Sequence, residues 1–144
     1  MQAWRLSRRA HADLSGEGAR RFGGRWNSPG RAVVYFADHP ALTVLEVRVH
    51  LDLPLDLLPD DYVMLEAALP DAPPPEEITA LPADPRAAGD AWLAEGRSAV
   101  LRVPSIVVPQ AHNLLLNPAH PAAARARIEA ITPFAFDRRL WVAR

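Results

Sequence analysis

The run Gly23-Gly24-Arg25-Trp26-Asn27-Ser28-Pro29-Gly30 leads directly into Ala32-Val33-Val34-Tyr35-Phe36, and no other junction constrains the fold as tightly. Two adjacent glycines and a Ser-Pro-Gly turn favour irregular backbone over 23–30, whereas the apolar residues that follow read as a buried strand over 32–37. The strand must be entered from a loop that holds one cation, Arg25, beside one large aromatic, Trp26. Two readings stand at this point. The segment is a hairpin turn with a surface Arg, or it is a binding loop suited to a ligand that carries phosphates and a flat ring.

The neighbouring segments place this loop in a chain of short elements. Ala3-Trp4-Arg5-Leu6 starts a short strand, and residues 7–31 form a long polar loop of the kind that is functional or disordered. Asp38-His39-Pro40 resembles a helix start, with Asp38 as cap and Pro40 in the first turn. The residues beyond it are ambiguous, because Leu45, Val47, Val49 and Leu51 alternate with Glu46, Arg48 and His50 as a strand would. The start signal favours helix over 44–51, with strand as the alternative.

Tyr62 to Leu69 is expected as a strand, and Pro70 to Pro85 as a surface connector with a helical turn near Glu76-Glu77-Ile78. Ala91 to Ala94 reads as a short helix between Gly89 and Gly96. Ala99 to Val108 is a strand interrupted at Pro104, and Asn113 to Asn117 is a further strand. Pro121 to Ile131 reads as an Ala/Arg helix and Phe134 to Asp137 as a closing strand. Strands and short helices without regular βαβ order define α+β, here one compact domain over residues 1–144 with mixed or antiparallel sheets.

A chain of 144 residues with 49% hydrophobic content can bury a core, and its formal charge of -1 offers no general attraction to nucleic acid or anionic membranes. No apolar run approaches membrane-spanning length, and the N-terminus lacks a signal layout, so a cytoplasmic protein is expected. Cysteine is absent, which removes disulfides, thiolate nucleophiles and Cys-based zinc sites. All sixteen basic side chains are Arg. Any phosphate must therefore be gripped by Arg or by backbone, and Lys-dependent phosphate loops and Schiff bases are excluded.

Three places could carry chemistry. On the helix reading Leu42, Leu45 and Val49 form an apolar stripe with Glu46 at its edge, where a carboxylate is partly desolvated and can point into a cleft. The alternative is a solvated Glu or a partner for Arg48. Ser105 follows Pro104 at a forced bend. It lacks a Gly-x-Ser-x-Gly frame, so it reads as a hydrogen-bonding residue rather than a nucleophile. Asn117-Pro118-Ala119-His120-Pro121 is a rigid turn whose polar side chains suit capping. His112 and His120 show no metal-ligand spacing, and no metal is expected.

In order, these motifs resemble the RES domain, the toxin half of a class of bacterial toxin-antitoxin pairs. The resemblance is carried by Gly23-Gly24-Arg25-Trp26-Asn27 with Pro29-Gly30, Val33-Val34-Tyr35, Pro40-Ala41-Leu42 through Leu45-Glu46-Val47 to His50, and Arg102-Val103-Pro104-Ser105. It continues through Asn117-Pro118-Ala119-His120-Pro121 and Phe136-Asp137 with Arg139-Leu140. Arg48 stands where an apolar residue is expected, and residues 70–85 align with no pattern.

The resemblance implies a fold similar to ADP-ribosyltransferases, with Arg25, Tyr35, Glu46 and Ser105 around a cleft for NAD+ as substrate. It also implies an antitoxin partner with a helix-turn-helix-type DNA-binding region. Members deplete NAD+ by hydrolysis or phosphorolysis, or transfer ADP-ribose to a protein acceptor. On that basis Glu46, Arg25 and Tyr35 are the catalytic set, and Ser105, Trp26 and Asn117 the substrate contacts. Arg25 would hold pyrophosphate through its planar fork of donors. Tyr35, or Trp26, would stack on nicotinamide, although Trp26 reads first as a packing residue of the loop. Two other functions compete, a non-enzymatic interaction protein and a nuclease. Intact Arg25, Tyr35 and Glu46 weigh against the first, and the lack of basic excess or metal-carboxylate motifs against the second.

Overall fold

β1 (Gln2–Arg8) decides the shape of the sheet. In this computed structural model, which describes residues 1–141, β1 pairs along its whole length with β3 (Tyr62–Ala68), antiparallel. With β2 (Val34–Ala37) it registers only at Trp4 opposite Ala37. Beyond that point the two strands splay. The remaining strands are β4 (Glu76–Glu77), β5 (Val100–Pro104), β6 (His112–Leu116) and β7 (Arg127–Pro133). They complete one seven-stranded sheet in the order β4-β5-β6-β2-β1-β3-β7, all antiparallel except β4 with β5. The class is α+β, as expected.

Alternation along β3 buries Val63, Leu65 and Ala67 and leaves the residues between them half-buried, the period of a strand with one face on the core. The larger buried cluster draws Ala3, Leu65 and Ala67 from one half of the sheet and Val34, Phe36, Val100, Leu114 and Leu116 from the other. The two halves thus close over a shared core. A second cluster, Trp26, Val33, Trp92, Leu101, Val103 and Leu115, lies beneath α3 (Pro85–Glu95). That helix starts where Asp84 accepts from the Ala87 N–H with Pro85 behind it, and stops at Gly96 with φ +61°. It is longer than the Ala91–Ala94 helix expected, because Gly89 lies within it.

α2 (Pro40–His50) is helical, which resolves the strand alternative. Its cap is His39, whose Nδ1 accepts from the Ala41 N–H, rather than Asp38. Asp38 has turned away to accept from the backbone N–H of His112. The expected stripe of Leu42, Leu45 and Val49 is also corrected. Leu42 and Thr43 are buried, whereas Leu45 and Val49 are exposed. Arg48 is explained by the far end of the chain: its guanidinium stacks 4.2 Å from the Trp141 ring, and its Nε donates to the Leu140 carbonyl.

Other local expectations yield to tertiary pairing. Within the loop expected over 7–31, Arg9–His11 forms a 3-10 turn and α1 spans Glu17–Phe22, the latter supported by a Glu17 to Arg20 ion pair. Glu76-Glu77 is a strand beside β5, not a helical turn. The Ala/Arg segment forms a 3-10 turn over Pro121–Arg125 and then β7, because β3 has an open edge and its backbone hydrogen bonds outweigh helix propensity. Phe134 to Asp137 is not a strand. Its aromatic residues instead meet edge to face, Phe136 against Tyr62, Phe134 and Trp141.

Candidate active site

Where β1 and β2 splay, a cleft of about 810 Å³ opens, lined by residues 4–8 of β1 and by Tyr35, Phe36 and Ala37 of β2. α2 contributes Thr43, Glu46 and Val47 to its lining, and α1 and the glycine loop contribute Phe22, Arg25 and Trp26. This size lies within the usual range for small-molecule sites, roughly 300–1,000 Å³.

Glu46 lines this cleft and is half-buried. Its Oε1 accepts from Asn113 Nδ2 at 2.8 Å, and its Oε2 from Ser105 Oγ at 3.0 Å. Asn113 lies opposite Ala37 on β6, and Ser105 just past Pro104 at the end of β5, so two separate strands fix the carboxylate that α2 carries. Burial pushes the Glu46 carboxyl above its usual range, and the hydrogen bonds from Asn113 and Ser105 pull it partly back. The sign follows directly. Asn113→Ala removes a donor to the ionised form, so the Glu46 carboxyl should titrate at higher pH than in the parent protein. Carbon-detected NMR of the carboxyl carbon measures this, and an unmoved midpoint would contradict the coupling.

Ser105 is buried at 2% exposure and lies behind Glu46, where it also accepts from the Val108 N–H. It does not line the cleft, so its route to a substrate runs through Glu46. Asn113 takes the lining position instead. The sequence offered only a strand beginning with Asn as a signal for it.

Tyr35 is held by its hydroxyl, which donates to Asn27 Oδ1 at 2.7 Å and accepts from the Trp26 N–H at 3.0 Å. Burial pushes this hydroxyl up to about 12, so it stays protonated at neutral pH. Asn27 is fully buried, and its Nδ2 donates to the carbonyls of Ala19 and Arg31, which joins α1, the loop and the approach to β2. The loop itself is closed by the Gly24 N–H on the Asn27 carbonyl.

α3 is the template for this loop. Asp90 accepts from the backbone N–H of Ser28 at 2.8 Å and from its hydroxyl, and Arg86 Nε donates to the Gly24 carbonyl. Gly89 faces the loop so closely that a Cβ there would lie 1.8 Å from the Trp26 carbonyl oxygen. Trp26, 3% exposed, is a packing residue against Trp92 and Val33, as the loop reading suggested, and little of it remains for a substrate.

Arg25, by contrast, is exposed on the cleft lip and belongs to none of the ion pairs among the described residues. A second cation was not singled out from the sequence. Arg5 lines the cleft with Nη1 donating to the carbonyls of His11 and Asp13, and burial pulls its pKa down, opposed by Asp13. Its only signal was a charged residue between the buried positions Ala3 and Leu6.

Asn117 does not reach the cleft. It is buried in the turn after β6, where its Oδ1 accepts from the Ala119 N–H, a capping role like that of His120 toward Ala122. His112 sits apart from His120, beside Asp38 and Arg102. Among the described residues no group of three or more His, Cys, Asp or Glu side chains is gathered for a metal.

Fold and site together define a single α+β domain with a cleft between β1 and β2, lined by a half-buried carboxylate and by arginines. The chain belongs to the RES domain family, whose model matches residues 2–137. It is 38% identical over 148 residues to Toxin Res of Pseudomonas putida, a match covering 98% of this chain and 100% of that one. It is 37% identical to the Prs ADP-ribosylating toxin of a Sphingobium species, covering 95% of this chain and 94% of the other. A chain in the crystal structure of the M. tuberculosis MbcT-MbcA toxin-antitoxin complex superposes with a TM-score of 0.73, covering 93% of this chain and 84% of that one. At 19% identity that likeness is one of fold.

Proposed function

We propose that this chain is the toxin of a toxin-antitoxin pair and that its cleft binds NAD+ and breaks the bond between nicotinamide and ribose. The observation that carries this reading is Glu46, half-buried in the lining of the cleft and held by Ser105 and Asn113. Cleavage passes through an oxocarbenium-like state. The bonding pair leaves with the pyridinium nitrogen, which departs as neutral nicotinamide, so no general acid is needed. A fixed carboxylate stabilises the positive charge that develops on the ribose or holds its hydroxyls.

Arg25, with Arg5 of the same lining, supplies the guanidinium donors for the pyrophosphate. Tyr35, anchored by its hydroxyl, presents its ring for stacking on nicotinamide. Ser105 and Asn113 act on the substrate through the Glu46 carboxylate they orient. The anomeric carbon then takes water, phosphate or a protein side chain, and the acceptor loses its proton.

Transfer to a protein acceptor is the second reading, favoured by the name of the Sphingobium relative. Incubation of the purified chain with NAD+, with and without phosphate and then with cell lysate, followed by mass spectrometry, separates the readings. Free ADP-ribose, its 1-phosphate or a modified protein each selects one acceptor, and survival of NAD+ in all three conditions sinks the enzyme.

The partner on this reading is an antitoxin with a helix-turn-helix-type region, encoded beside this chain. A cytoplasmic site of action goes with NAD+ as substrate. No helix among the described residues is long and apolar enough to cross a membrane.

A further inference from the structure

We propose that the open end of the cleft is an adenosine subsite in which Phe22 is the platform for the adenine ring. This deepens the NAD+ reading of the cleft and rests on it. Phe22 is 80% exposed, the most exposed large hydrophobic side chain among the described residues, and it lines the cleft. A large apolar ring left in water beside a binding cleft is the unusual observation, since most exposed hydrophobics are scattered singly over a surface.

Its position along the cleft follows from register. The Glu46 end is where Ala37 pairs with Asn113, the residue that holds Glu46. At the other end of β2, Val34 pairs with Leu116, and the residue before it, Val33, meets the start of α1. A Cβ on Gly16 would lie 2.7 Å from the Val33 nitrogen. Four residue steps, from Val33 to Ala37, separate the two ends, about 13 Å at the usual rise of 3.3 Å per residue. The start of α1 thus stands about a strand's length from the Ala37–Asn113 pair beside Glu46, and Phe22 closes the last turn of the helix.

Arg25 follows Phe22 by three residues on the same lip. A dinucleotide with its reacting ribose at Glu46 and its pyrophosphate on Arg25 has its second ring beside Phe22. Asp13 and Ser15, next to Gly16 and α1, also line the cleft; the Ser15 hydroxyl donates to Asp13 Oδ1, which leaves Asp13 Oδ2 as an acceptor for a ribose diol. Rings stack on an exposed aromatic face whatever their substituents, which suits a platform that grips without taking part in the chemistry.

The test compares NAD+ with nicotinamide mononucleotide, which has the reacting half and no adenosine. Phe22→Ala should raise KM for NAD+ about ten-fold with kcat unchanged, leave both parameters for the mononucleotide unchanged, and be rescued by Phe22→Trp. An unchanged KM for NAD+, or an equal loss with both substrates, overturns the subsite. If the parent protein leaves NAD+ intact, the reading of the cleft as an NAD+ site fails by itself. Calorimetric binding of adenosine 5′-diphosphate then decides the platform: about ten-fold weaker binding to the Ala variant supports it, and equal or absent binding overturns it.

Discussion

Glu46→Gln is expected to lower NAD+ consumption by roughly 10³-fold while leaving the fold intact, the scale seen when one preorganised electrostatic group is removed from a transition state. Gln keeps the shape of the side chain and one acceptor for Asn113 or Ser105, but it lacks the negative charge that the developing oxocarbenium requires. The same substitution makes a stability prediction. Burial raises the folded-state pKa of Glu46 above its unfolded value. The protonated side chain is therefore the better fit to the folded protein, and stability falls as pH rises through the folded pKa. At neutral pH the Gln variant should melt at the same or a higher temperature than the parent, and the difference should vanish in acid, where Glu46 is protonated. Turnover at the parental rate would falsify the assignment of Glu46, and a variant that melts lower at neutral pH would place the carboxylate in a structural role.

Gly89→Ala is expected to destabilise the protein by about 2–3 kcal/mol and to remove most activity, although Ala is the better helix former by about 1 kcal/mol. The reason is the carbonyl of Trp26, 1.8 Å from where the new methyl group would sit. That oxygen is backbone and cannot swing aside, so α3 and the glycine loop must part. Parting them pulls Ser28 from Asp90 and moves Arg25 on the cleft lip. Thermal unfolding should show a drop of about 10 °C for a chain of this size. Gly18→Ala is the control, because a methyl group there meets nothing within 4 Å. It should leave the melting temperature unchanged or raise it slightly. Equal behaviour of the two variants would show that helix propensity, not the contact with Trp26, governs position 89.

The candidate site was legible in the sequence where a residue announces its own geometry. The glycines and the Ser-Pro-Gly turn announce the loop of Arg25, and Pro40 announces the helix of Glu46. Other members were hidden because nothing local marks them. Asn113 reads as an ordinary strand residue until the register of β6 against β2 sets it beside Glu46. Arg5 reads as a strand Arg until the strands splay around it. The same limit explains β7, where an Ala-rich segment with helix propensity completes the open edge of β3. It also explains Arg48, which no local pattern connects to Trp141.

The sequence by itself determined the chemical inventory: an Arg on a glycine-flanked loop, a carboxylate a few residues after a helix-start signal, and no Lys or Cys. It also determined the family, through motifs kept in order along the chain. The tertiary structure alone decided which of those groups meet. Ser105 and Asn113 reach Glu46 across 59 and 67 residues of chain, Trp26 turns inward to pack, and Asn117 stays outside the cleft. Local preferences act over a few residues, whereas a cleft forms where β1 and β2 stop pairing, and that depends on strands from both halves of the sheet closing over one core.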